Sequence, residues 1–64
     1  MTRDPIANPK VGDIFKDAVG WTWHIINVGD AGVVLESVLG VKVWSFRHYR
    51  EYFGSVVTVV RLSS

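Results

Sequence analysis

Apolar positions recur along this chain in short runs of alternating character, and glycine-containing breaks separate the runs. Trp21–Val28 (Trp-Thr-Trp-His-Ile-Ile-Asn-Val) is the most aromatic and β-branched of them, with Gly20 before it and Gly29-Asp30-Ala31-Gly32 after it. Side chains of this kind fit a pleated, half-buried surface. Strand alternation puts Trp21, Trp23 and Ile25 on one face and Thr22, His24, Ile26 and Val28 on the other. Large apolar groups on both faces predict a central strand covered on both sides.

Four more strands and one helix follow from the same pattern. Val11-Gly12-Asp13 opens a strand over Ile14–Asp17, which Ala18-Val19-Gly20 turns into the central one. Gly29–Gly32 offers two positions for positive φ, which predicts a tight hairpin into Val33–Ser37. Val33 and Leu35 share one face there, and Glu36 marks the opposite face as wet. Leu39-Gly40 turns the chain into Val41–Ser45, where Val41 and Val43 point one way and Lys42 and Trp44 the other. With the valines inside, Trp44 stands outside beside a lysine.

Ser45 is a good N-cap for a short helix over Phe46–Phe53, which Gly54 ends. Phe46, Tyr49 and Phe53 form one stripe at i, i+3, i+7, while Arg47 and Glu51 pair on the exposed side. Two turns of helix do not stand alone, so the stripe has to pack on the sheet. Ser55–Leu62 is the fifth strand. Its Val56–Val60 core is β-prone and uncharged, an aggregation hazard unless paired within a barrel or across a two-fold dimer. Residues 1–10, with both prolines, read as an extended, partly disordered lead-in; 11–62 form a single small β domain and 63–64 a tail.

The order β-β-β-β, short helix, β predicts a mainly β fold, either a five-stranded SH3-like barrel or a curled antiparallel sheet with the helix across one face. Val33, Leu35, Val41, Val43, Phe46 and Phe53 are the expected core and Lys42 is expected to be exposed.

Sixty-four residues make one domain near the lower size limit for unaided folding. There is no cysteine, so neither a disulfide nor a thiolate metal site is available. No apolar run approaches the ~18 residues that cross a bilayer, and Met1–Pro5 lacks the apolar region of a signal peptide, so a cytoplasmic location without membrane partners is expected. Net charge is +1, too small to specify a partner. Residues 1–36 hold three basic and five acidic side chains, and residues 37–64 hold four and one, a modest asymmetry.

Phe15-Lys16-Asp17-Ala18-Val19-Gly20, the aromatic strand after it and the later Phe46 and Phe53 resemble short phage and prophage proteins of enteric bacteria with no assigned function. The resemblance spans roughly residues 11–60. Phe15 and Lys16 stand where that group usually has Tyr and Arg, and an Arg-rich, Gly-Tyr stretch after its third strand has no counterpart here. The architecture is also similar to Tudor-like and KOW-like barrels, which bind proteins or nucleic acids; shared architecture confers no site.

Chemistry-bearing patterns are sparse. His24 and His48 lie in no H-x-x-x-H or H-x-E arrangement, so no metal or cofactor is expected. Asp13 and Asp17 sit ~13 Å apart along an extended chain, too far to share a proton. Gly29 and Gly32 lack the Gly-Lys-Ser/Thr of a phosphate loop. The expected protein is therefore not an enzyme. The constellation that stands out is Lys42-Val43-Trp44-Ser45-Phe46-Arg47-His48-Tyr49-Arg50. Cations neutralise phosphates and aromatic faces stack on bases, yet Trp, Tyr and Arg are equally the favoured anchors of protein interfaces. Against both stands the plain alternative that Phe46 and Tyr49 serve the core and Arg47 only pairs with Glu51. The expected binding residues are Trp44, Lys42, Arg47, Arg50 and His48. A host or phage protein is the first expected partner, single-stranded nucleic acid the second, and self-association through the C-terminal strand the third.

Overall fold

The computed structural model describes residues 3–54 and 58–63. Its strands are β1 (Ile14–Lys16), β2 (Thr22–Val28), β3 (Gly32–Ser37), β4 (Gly40–Ser45) and β5 (Thr58–Arg61), with helix α1 (Phe46–Phe53) before the last. All neighbours pair antiparallel in the order β4-β3-β2-β1-β5. The sheet does not close, so of the two expected architectures the open sheet with a helix on one face is the one found. Of the expected fifth strand, Ser55, Val56 and Val57 lie outside the described residues. Thr58–Arg61 pairs with β1, skipping Val60 in the register.

β2 is central, as expected, but only one of its faces is covered. Trp23 and Ile25 are buried there with Phe15, Val33, Leu35, Tyr49 and Phe53, while Trp21 and Ile26 stay exposed. The sheet's other face carries no second layer among the described residues. Alternation also fails at one point of β2. Ile25 pairs with Leu35 and Asn27 with Val34, so Ile26 is an extra residue, a bulge. The bulge shifts the phase and brings Val28 to the core side opposite Val33, not to the side of Thr22 and His24.

The β4 faces are the reverse of those expected. Val41 and Val43 are 55% and 77% exposed, whereas Lys42 and Trp44 are partly buried and Trp44 packs against the core. The hairpin dictates this. Its turn is Val38-Leu39, so Ser37 pairs with Gly40, which places Lys42 opposite the buried Leu35 and Trp44 opposite the buried Val33. Directly opposed residues share a face. Choosing the valines for the core follows hydrophobicity; the turn length overrides it.

Helix α1 matches its expected bounds, with the Ser45 hydroxyl accepting from the His48 N–H at 3.1 Å. Tyr49 and Phe53 are buried and Phe46 partly so. Gly54 closes the helix at φ 61° and ψ −132°, a conformation suited to glycine rather than the left-handed helical one.

The expected extended lead-in is instead a turn that completes the core. The Asn8 N–H bonds to the Asp4 carbonyl, Ile6 is buried in the main cluster, and the Tyr49 hydroxyl donates to the Pro5 carbonyl at 2.7 Å. Its anchor is the buried Asp13 carboxylate, 2.6 Å from both terminal nitrogens of Arg3. The same carboxylate accepts from the backbone N–H groups of Lys10 and Ser63, and Arg3 also donates to the carbonyls of Asn8 and Ser63. One carboxylate thus ties together segments from both ends of the chain.

Gly29 and Gly32 do not supply positive φ; the glycines that do are Gly12, Gly20, Gly40 and Gly54. Gly32 is required for space. A Cβ there would overlap the Trp44 carbonyl oxygen, whereas one at Gly29 would meet nothing within 4 Å. Gly32→Ala is expected to force β3 and β4 apart at this end and cost ~1–3 kcal/mol, a fall in Tm of very roughly 4–20 °C for a domain this small. Gly29→Ala should leave Tm nearly unchanged. Thermal melts followed by circular dichroism test the pair, and equal melting temperatures would refute the close-approach role.

Candidate functional site

Strand β4 runs into α1 through the Ser45 cap, so the residue before the cap and the flank of the helix face one another. This corner brings Trp44, His48 and Tyr52 together. Their ring centroids are 4.8 Å apart for Trp44–His48, 4.8 Å for Trp44–Tyr52 and 6.5 Å for His48–Tyr52. His48 and Tyr52 are exposed and Trp44 is half-buried, so the cluster presents aromatic edges and faces to solvent on a fixed base.

The base is Trp23, whose ring centroid lies 5.2 Å from that of Trp44 and 5.9 Å from that of Tyr52. Asp17 holds it in place. One carboxylate oxygen of Asp17 accepts from the N–H groups of Val19, Gly20 and Trp21, and the other accepts from Trp23 Nε1 at 3.0 Å. Desolvation pushes the Asp17 carboxyl up, but the indole N–H and the three backbone donors outweigh it and hold the group below its ordinary range. The Asp-Ala-Val-Gly-Trp-Thr-Trp sequence therefore has a structural meaning: the aspartate both builds the turn and positions the second tryptophan.

The structure divides the five expected binding residues. Trp44 and His48 come together in the cluster. Lys42 lies two residues before Trp44 on the same face, partly buried, with no carboxylate partner among the described residues. Arg47 projects outward and pairs with Glu51 at 3.1 Å, with both side chains largely in solvent. Arg50 lies on the opposite flank of α1, over the Phe46 ring at 5.4 Å, its guanidinium 3.4 Å from the Ala7 carbonyl. Lys42, Arg47 and Arg50 thus do not converge on one path for a phosphate backbone.

Tyr52 belongs to this surface and is not among the expected residues. Its signal is spacing by four: Trp44, His48 and Tyr52 straddle the cap, and a helix following the strand stacks such positions. Tyr49, by contrast, is fully buried, and burial pushes its hydroxyl well above the ordinary tyrosine range. Among the described residues, no group of three or more His, Asp or Glu side chains is placed to hold a metal ion. No described helix is long and apolar enough to cross a membrane. No family model, curated protein sequence or solved structure matches the chain.

Proposed function

We propose that this protein is a non-enzymatic binding module of phage or prophage type, acting in the cytoplasm, that docks a host or phage protein on the Trp44–His48–Tyr52 surface. The observation that carries this reading is the exposed aromatic cluster on a rigid strand–helix corner, braced from below by Trp23 and Asp17. Aromatic side chains held in place supply large contact area at little entropic cost, which is why interface anchors are enriched in them. The scattered cations favour a protein over single-stranded nucleic acid, whose backbone needs a continuous basic track.

Trp44 packs on the core, so Trp44→Ala would confound binding with stability. Tyr52→Ala and His48→Ala remove exposed rings and should leave the fold intact. The test is capture from bacterial lysate, with and without nuclease, by wild type and by the Tyr52→Ala/His48→Ala double variant. We expect a protein partner retained after nuclease treatment by the wild type and lost with the double variant. In parallel, a short labelled oligonucleotide is titrated at low salt. Binding through three phosphate contacts would weaken with a log–log salt slope near about −2, and such a slope would replace the protein-docking reading with the nucleic-acid one.

A further inference from the structure

The open sheet has two edges, and they are not equivalent. β5 skips Val60 in its register with β1 and ends in Arg61, features that blunt an edge. β4 is regular over all six residues against β3, without a bulge or proline. Its one charged residue, Lys42, lies on the helix-covered face, away from Val41 and Val43.

The two-residue turn Val38-Leu39 also determines which backbone groups that edge offers. In such a hairpin Ser37 and Gly40 form a hydrogen-bonded pair, and bonded and non-bonded pairs then alternate. Gly40, Lys42 and Trp44 therefore direct their N–H and C=O groups to β3, and Val41 and Val43 direct theirs to the free side. Around Ser45, at the Gly29–Gly32 end of the sheet, lies an open, largely apolar groove of ≈ 600 Å³ lined by Val34 and Val43 and also by Val33 and Trp44. At the opposite end of the same strand, the turn residues Val38 and Leu39 are 77% and 53% exposed, unusually apolar for a turn.

We propose that β4 pairs antiparallel with β4 of a second copy of this chain, about a two-fold axis at Val43. This register brings Val43 opposite the partner's Val43, where both N–H and both C=O groups can bond. Val41 then stands opposite the partner's Ser45, with its side chain beside the partner's apolar groove, and the Val38-Leu39 turn follows it. On the other face, Lys42 comes opposite the partner's Trp44, a cation against an aromatic face, twice per dimer. Competing registers are poorer. An axis at Lys42 opposes two lysines, an axis at Trp44 leaves only Val43–Ser45 paired, and a one-residue slip reverses the faces.

The inference is independent of the docking reading, since the Trp44–His48–Tyr52 surface exists on each copy. In the dimer that surface gains a cation from the partner's Lys42.

The test is molar mass by light scattering and sedimentation over a concentration series, for wild type, Val43→Lys, Val43→Glu and the two variants mixed. Val43 is exposed on an uncovered face, so both substitutions should preserve the fold, which circular dichroism checks. The wild type is expected to be dimeric. Each variant, placing like charges directly opposite each other, should weaken the dimer at least about tenfold, and the equimolar mixture should restore it. A wild type that stays monomeric at millimolar concentration overturns the proposal. Variants as dimeric as the wild type exclude this edge, and monomeric variants that fail to recombine exclude this register.

Discussion

Asp13→Ala is expected to abolish the cooperative unfolding transition at room temperature. The carboxylate is fully buried and receives two bonds from Arg3 and one each from the backbone of Lys10 and Ser63. Removing one partner of a buried ion pair costs about 3–5 kcal/mol, and a domain of this size holds only ~3–5 kcal/mol in its core. Arg3→Ala should also be strongly destabilising, because it leaves the fully buried carboxylate without its cation and held only by the two backbone donors. The same hub sets an acid limit. Burial pushes the Asp13 carboxyl up, but the Arg3 bonds and the two N–H groups outweigh it, so its folded pKa lies below the ordinary 3.8. A depressed carboxylate pKa gives stability that is complete above the unfolded value and lost as pH falls through the folded one. Asp17, depressed likewise, adds to the same window. Denaturant titrations from pH 6 down to pH 2 should show stability falling below about pH 4. A wild-type stability flat across that range, or an Asp13→Ala variant melting like the wild type, would refute the role assigned to this residue.

Phe53→Ala carries the second large effect. The Phe53 ring lies 4.9 Å from Phe15, 5.5 Å from Trp23, 5.8 Å from Trp44, 5.2 Å from Tyr49 and 4.9 Å from Tyr52. It joins the helix to β1, β2 and β4 at once and is only 6% exposed. Truncating such a ring costs about 3–5 kcal/mol through lost burial and the cavity left behind. The variant should lose its near-ultraviolet dichroism and cooperative melt while keeping some far-ultraviolet strand signal. Phe46→Ala, at a half-buried position beside Arg50, should cost much less. If the two variants melt together near the wild type, the aromatic cluster does not hold the helix to the sheet.

Much of this was legible in the residues, and the exceptions have identifiable causes. Ser45, the 46/49/53 stripe and Gly54 specify the helix locally, since cap, periodicity and terminator agree. Val33 and Leu35 were readable because Glu36, next to Leu35, marks the outer face. Strand β4 was not, because both of its faces carry large apolar groups and hydrophobicity alone cannot choose between two valines and a tryptophan. The information was in the length of the preceding turn, which fixes the register and with it the face. Ile26 shows the complementary failure: a bulge inserts one residue, and alternation cannot reveal it without the partner strand. Asp13 was weighed only against Asp17, which lies too far away to share a proton, whereas its Arg3 and Ser63 partners lie 10 and 50 residues away. Contacts of that range leave no local pattern. The candidate surface was half legible, because strand and helix spacing together bring Trp44 and His48 near one another, while the dispersal of Arg47 and Arg50 depends on the helix's rotation over the sheet.

The carboxylate that joins both ends of the chain also bears on the order in which the fold is made and lost. Bringing Arg3 and Ser63 to Asp13 requires closing loops of very different length, and the longer closure pays its entropy before any bond repays it. Hairpins β2–β3 and β3–β4, with their neighbouring strands, need no such closure and can form first. The Asp13 hub is then expected to assemble on the native side of the folding barrier. An interaction absent from the transition state acts almost wholly on the rate of unfolding. Arg3→Ala is therefore expected to speed unfolding far more than it slows folding, which stopped-flow chevron plots of the variant and the wild type test.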